Sequence, residues 1–384
     1  IYSNVRHTTT SVLGGGDPTV FSGTNSYNKI QSNIINYVNF GISFAGSGAS
    51  SGSVGLNFDT GNEIGGVVPG TGNIITEFGK VISSVLYASH TDTNFGIQST
   101  NQINETISNN TLVSNDITSG GSLKGARGIV KSFSTAPFGI TTISTISENI
   151  ITLQFSATNG DVIGILSAAT GVVIAGMTIN ITDNSILKCK LTASSESINF
   201  IGIQNTANVG ILNLTDNLVR GVTSNQTGGT FTAFANSGSV QTSINIINNQ
   251  VGSNEGPAVT FLGTLAAPAC VLIDNSAGGS LSSLTISANE FFDINHINNT
   301  TGPVTFIRTS GSSVPSVTII NNLFREISLN NTATVSVSYT HLRAHETVLD
   351  LVCRLLLEKK KTEKKNTTTR AAVITETLTT NYTT

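Results

Sequence analysis

The chain has 384 residues and a mass of 39.9 kDa, with 38% hydrophobic but only 11% charged residues. Its formal net charge is −3, and without the basic last forty-four residues a body of 11 basic and 17 acidic residues carries −6. Such a body has no phosphate-binding footprint, which argues against a nucleic acid partner, and a surface so poor in Glu, Lys and Arg argues against a helical protein.

Residues 1–24 read as an irregular segment, with Gly14–Gly16 and Gly46–Gly55 as flexible stretches. The opening Ile1-Tyr2-Ser3, without an initiator Met, reads as a piece of a longer protein. From residue 25 to 336 one unit is laid down repeatedly. An asparagine recurs at Asn33, Asn73, Asn110, Asn149, Asn184, Asn217, Asn249, Asn289 and Asn322, at intervals of 32 to 40 residues. Two places after each stands an apolar residue, from Ile35 to Phe324. Three places before, all are apolar except at Asn73, where Gly70 intervenes. The approach to each asparagine alternates with period two, as in Leu284-Thr-Ile-Ser-Ala-Asn289, and predicts a strand with Leu284 and Ile286 facing inward. The asparagine is expected to take the left-handed backbone of a sharp corner. Thr230–Ala235, Ala258–Leu262 and Pro303–Ile307 predict further strands, and Thr118–Lys131 a hinge or long loop. A unit of this kind buries its apolar side only by stacking on its neighbours. A β-propeller is the rival, but its blades are longer and usually carry aromatic signatures, and this chain has no Trp.

After about residue 337 the composition changes. His341–Lys365 has helical periodicity, with Leu349, Val352 and Leu356 on one face. It reads either as a helix capping the open end or, as its sequence closely resembles, as a translated sequencing-library adapter; residues 337–384 are accordingly expected to be a non-native or disordered tail. No apolar run is of membrane-spanning length without polar interruption. Of three cysteines, Cys189 and Cys270 fall in different repeats and are expected to be buried small side chains.

The repeats resemble those of right-handed parallel β-helices of the pectin-lyase-like kind, over roughly residues 25–336. The resemblance implies an all-β, right-handed parallel β-helix of about nine coils, open-ended, with the corner asparagines stacked in an internal amide ladder. Asn289 and Asn322 match it best; Asn33 and Asn73 match poorly. Bacterial members of the family include adhesins and other large surface proteins. A non-enzymatic, secreted or cell-surface scaffold is therefore expected, adhesin-like, with faces for glycans or protein surfaces. The alternative is a polysaccharide lyase or glycoside hydrolase, which needs a base and acidic residues on one face.

For that chemistry two clusters are candidates. Lys124, Arg127 and Lys131 form a basic group that otherwise reads as a solvated loop. Glu290, Asp293 and His296 follow the corner at Asn289, with Arg325 near enough in the next coil for a surface ion pair. No cofactor is expected. Asp183 and Asp216 could hold calcium between successive coils, although turn capping accounts for each alone. Threonine pairs such as Thr141-Thr142 set no regular flat array, which argues against an ice-binding face.

Overall fold

The computed structural model describes residues 2–3, 26–46, 58–79, 94–117, 125–133, 141–156, 160–169, 173–192, 198–226, 228–262, 269–276, 283–296, 303–310, 316–325 and 335–339. Within them the chain is a parallel β-solenoid, all strand and no helix. The expected tail helix lies outside the described residues.

Three sheets run along the solenoid. Sheet I has ten strands, including Asn94–Thr100, Gly125–Phe133, Asp161–Ala169, Phe200–Asn205, Thr230–Asn236, Ala269–Asn275 and Val304–Thr309. Sheet II has nine, including Thr142–Ser147, Val173–Thr182, Asn208–Thr215, Val240–Ile247, Ser283–Ser287 and Val317–Ile320. Sheet III has thirteen, including Ile150–Phe155, Ser185–Leu187, Leu218–Arg220, Glu290–Phe292 and Leu323–Arg325. Each corner asparagine joins sheet II to sheet III. Tyr2–Ser3 and Val335–Tyr339 pair at the two ends of sheet I.

Register follows the repeat. The residue three before each asparagine forms one row across sheet II: Ile146, Ile181, Leu214, Ile246, Ile286 and Ile319 are successive partners. Toward the N-terminus the row continues through Ile107, Ile64 and Ile30. Ile64, not Gly70, is the member belonging to Asn73. The segment between Gly65 and Asn73 is a loop inserted at the corner, so the offset is longer in sequence while the row is unbroken. The residue two after each asparagine makes a second row in sheet III, with Ile151, Ile186, Val219, Val251, Phe291 and Phe324 in line. Parity places both rows inside, because alternate side chains of a strand share a face.

Sheet I meets the second row through glycine. A Cβ on Gly128 would stand 2.6 Å from Ile151, on Gly164 2.6 Å from Ile186, and on Gly202 2.8 Å from Val219. The backbone of sheet I thus lies directly on these branched side chains. Farther along, Leu272 and Phe306 occupy the glycine position, and packing becomes ring on ring: Phe306 lies 4.7 Å from Phe324 and 6.2 Å from Phe291.

Two local expectations are corrected. Gly125–Phe133 is a nine-residue strand in the middle of sheet I, so the C-terminal part of the expected hinge is regular structure. Residues 118–124 lie outside the described residues. At every corner but that of Asn73 the left-handed residue is the one before the asparagine: Glu148 has φ 57°, Asp183 56°, Asp216 58°, Asn248 57° and Ala288 55°. The turn is imposed on whichever residue stands there, including Ala288, because the next side chain must be buried.

Candidate functional site

Of the sequence-predicted residues, the asparagines are brought together most completely. Asn73, Asn110, Asn149, Asn184, Asn217, Asn249, Asn289 and Asn322 are buried, and Asn33 partly so. The Nδ2 of Asn149 donates to Oδ1 of Asn184 at 2.9 Å, and the same Oδ1 accepts the backbone N–H of Asn149 at 3.1 Å. Nδ2 also donates to the carbonyl of Ile107, in the preceding turn, at 2.9 Å. The pattern repeats from Asn33 to Asn322, so Asn33 and Asn73 take part despite their poorer sequence match. Asparagine is required because one group must both donate and accept within a buried corner; aspartate lacks the donor and alanine both. Closed to solvent, the ladder binds nothing from outside.

The basic cluster does not assemble. Lys124 lies outside the described residues. Arg127 and Lys131 share a strand but face opposite ways. Pairing passes from Arg127–Ile163 to Ile129–Ile165, and the alternation slips there. Ala126, Ile129 and Phe133 join the main core, whereas Val130 belongs to a separate cluster with Ile163 and Leu166 on the outer face. Arg127 is half-buried on that outer face; its Nε makes no hydrogen bond, and burial lowers its pKa against the opposing pull of Asp161. Lys131 is wholly buried. The solvated-loop reading fails for Lys131, since no loop is there and no water reaches it.

Lys131 belongs to a polar row that sequence reasoning missed. Ser99, Lys131, Ser167, Asn205, Asn236, Asn275 and Thr309 are successive inward positions on sheet I, all buried. Asn205 donates to Asn236, and Asn236 to Asn275, each at 2.8 Å, forming a second internal amide ladder. At Lys131 the row carries a charge. Its ammonium contacts the Glu105 carboxylate and the carbonyl of Gln102, and lies 4.1 Å from the centre of the Phe133 ring. The other carboxylate oxygen of Glu105 accepts from the Ser99 hydroxyl. Nearby, Gln102 accepts from Asn62 at 2.6 Å and reaches buried Asp59 at 3.4 Å. Burial lowers the Lys131 pKa, while Glu105 opposes the shift by charge and hydrogen bond.

The acidic cluster is committed to surface pairing. Glu290 accepts from Gln250 at 3.1 Å and faces Arg325 at 3.4 Å. Asp293 is the positive-φ residue of a turn, with φ 42°. His296 is in register with Phe261; its side chain lies outside the described residues. Asp183 accepts from Thr182 at 2.9 Å, and Asp216 from Asn248. Among the described residues, no group of three His, Cys, Asp or Glu gathers to hold a metal.

A neutral polar array of single Thr and Asn residues, not of adjacent threonine pairs, lies in register on the outer face of sheet II. Thr145, Asn180, Asn213, Asn245, Thr285 and Thr318 are successive partners. Asn213 donates to Asn180 and Asn245 to Asn213, each at 2.8 Å. The flanking rows are Thr178, Ile211, Ser243 and Ser283 on one side and Ser147, Thr182, Thr215, Ile247 and Ser287 on the other. None of these residues is charged. The sequence signal was present four, two and six places before the corner asparagines from Asn184 to Asn289, in single residues alternating with the core positions rather than in adjacent threonines. No family model matches the chain, and neither a curated protein nor a solved structure matches it.

Proposed function

We propose that the chain is a non-enzymatic repeat scaffold of the secreted or cell-surface kind, pectin-lyase-like in its coil, that holds neutral glycan on the outer face of sheet II. The observation that carries this is the uncharged Thr/Asn/Ser array. Strand spacing sets the members of each row about 4.8 Å apart along the solenoid axis. Asn213 uses one donor and one acceptor on its neighbours, Asn180 one acceptor and Asn245 one donor, which orients the three amides and leaves their remaining donors and lone pairs for a ligand. A sugar hydroxyl is the matching neutral partner. Contacts of this kind are individually weak and gain by repetition. The lyase or hydrolase reading is disfavoured because, of its candidates, Glu290 faces Arg325 in an ion pair and Lys131 is buried.

The test is depletion of the protein from solution by insoluble cellulose and chitin, with turnover followed as reducing ends and unsaturated products. The expected outcome is binding without turnover, tighter when copies are arrayed on beads, and at least about tenfold weaker in Asn213→Glu and Thr215→Lys. Binding unaffected by both substitutions, or turnover lost on replacing Glu290 or Arg127, would overturn the proposal. Shaping of ice crystals without polysaccharide binding would assign the same array to ice.

A further inference from the structure

We propose that the side chains of Lys131 and Glu105 become joined by an amide bond within the folded chain. Their side chains are 0% and 1% exposed. The nitrogen of one contacts a carboxylate oxygen of the other, with the Ser99 hydroxyl on the second oxygen and the Gln102 carbonyl on the nitrogen. Nucleophile, electrophile and two orienting groups are thus already in place in the buried interior.

The location is peculiar. Glu105 stands where earlier turns carry an asparagine. Glu63 N–H donates to Asn28 O, Thr106 N–H to Asn62 O and Thr145 N–H to Glu105 O, at 2.8, 3.0 and 3.0 Å. Asn28 and Asn62 are themselves bonded amide to amide at 3.1 Å. On sheet I, Lys131 stands between Ser99 and Ser167. A carboxyl and an amine thus replace small neutral groups in rows on two walls of adjacent turns, and each contacts the other.

The chemistry needs no co-reactant. Proton transfer from the ammonium to the carboxylate gives amine and acid, and burial, which lowers the Lys131 pKa, favours the uncharged amine. The Nζ lone pair forms a bond to Cδ of Glu105. The acid proton and one proton from Nζ both come to rest on Oε2, the oxygen held by Ser99; the Cδ–Oε2 bond breaks, Oε2 departs as water and Oε1 becomes the amide carbonyl. One C–N bond is made and one C–O bond broken, with no change of oxidation state. In water such a condensation runs backward. Here the fixed geometry supplies an effective concentration of about 10⁵–10⁸ M, and the buried charges that make the unjoined state costly disappear. The bond would tie sheet I to the start of sheet II across the interior.

The full chain, kept folded for several days and then denatured, should weigh one water less than its sequence. Trypsin should fail to cut after Lys131 and should release a branched peptide joining Lys131 to Glu105. Lys131→Met should restore the sequence mass. A wild-type chain of full sequence mass that trypsin cuts after Lys131 would overturn the proposal, and that measurement decides the matter even if the variant fails to fold. A Lys131→Met chain still short of one water would overturn it too, by placing the loss elsewhere.

Discussion

A buried asparagine in this fold carries its role in its functional groups rather than in its turn propensity. Asn289 donates to Asn322 and to the Ile246 carbonyl, and its backbone N–H is taken by Asn322 Oδ1. Removing the amide strands the Ile246 carbonyl and the backbone and side-chain N–H groups of Asn249, both of which donate to Asn289 Oδ1. Asn289→Ala and Asn184→Ala should each cost about 1–3 kcal/mol in denaturant unfolding, and Asn289→Asp should cost more, since it adds a buried charge without a donor. Losses below about 0.5 kcal/mol at both positions would be incompatible with a closed ladder. The residue before the asparagine behaves oppositely. Ala288 has φ 55°, a conformation that costs an ordinary side chain about 1–2 kcal/mol. Ala288→Gly should therefore stabilise the fold by about 0.5–1 kcal/mol once the entropy of glycine in the unfolded chain is deducted. A destabilised Ala288→Gly would show that the methyl group packs.

Between elements, the decisive contact is the seat of sheet I on sheet III. A Cβ on Gly164 would meet the Gly202 carbonyl at 2.5 Å and Ile186 at 2.6 Å. Gly164→Ala should cost about 1–3 kcal/mol by overpacking. Ile186→Ala added to it should recover only part of the loss, because the carbonyl is backbone and cannot withdraw. Full recovery would mean that side-chain crowding alone sets the spacing of the sheets. The amide rows inside sheet I and outside sheet II show the same principle at different depths. Strands in register place identical side chains one strand spacing apart, within reach of a hydrogen bond.

For the whole molecule, burial is the property that titration reads. Cys189 and Cys270 are free and buried. Burial pushes the Cys189 thiol from 9.0 up to about 12, against a weaker opposing hydrogen bond from the Leu153 N–H; Cys270 moves the same way. A raised folded-state pKa means that above pH 9 the unfolded chain has released a proton that the folded chain still holds. Stability is thus unaffected by these thiols below that pH and falls as the pH rises toward 12. A melting midpoint that declines over this window in the parent, and less in Cys189→Ala compared with its own value at pH 8, is the expected result. Peptide mapping after maleimide treatment should find both residues unlabelled until denaturant is added. Rapid native labelling of either would show that the core opens.

The sequence by itself determined the period, the strand before each asparagine and the two interior rows, because parity along a strand and a fixed offset from a recurring residue are local properties. Ile181, Leu214, Ile246, Ile286 and Ile319 could be aligned without coordinates for that reason. Tertiary structure decided what depends on register and on facing walls. The slip beside Gly128 turned Lys131 inward although Arg127, four residues earlier, faces out. The partner of Lys131 came from Glu105, in another turn and another wall. The outer array became a surface only when single residues about 33 apart were stacked. Alternation says that a side chain has a face; only the closed coil says which atoms lie across from it.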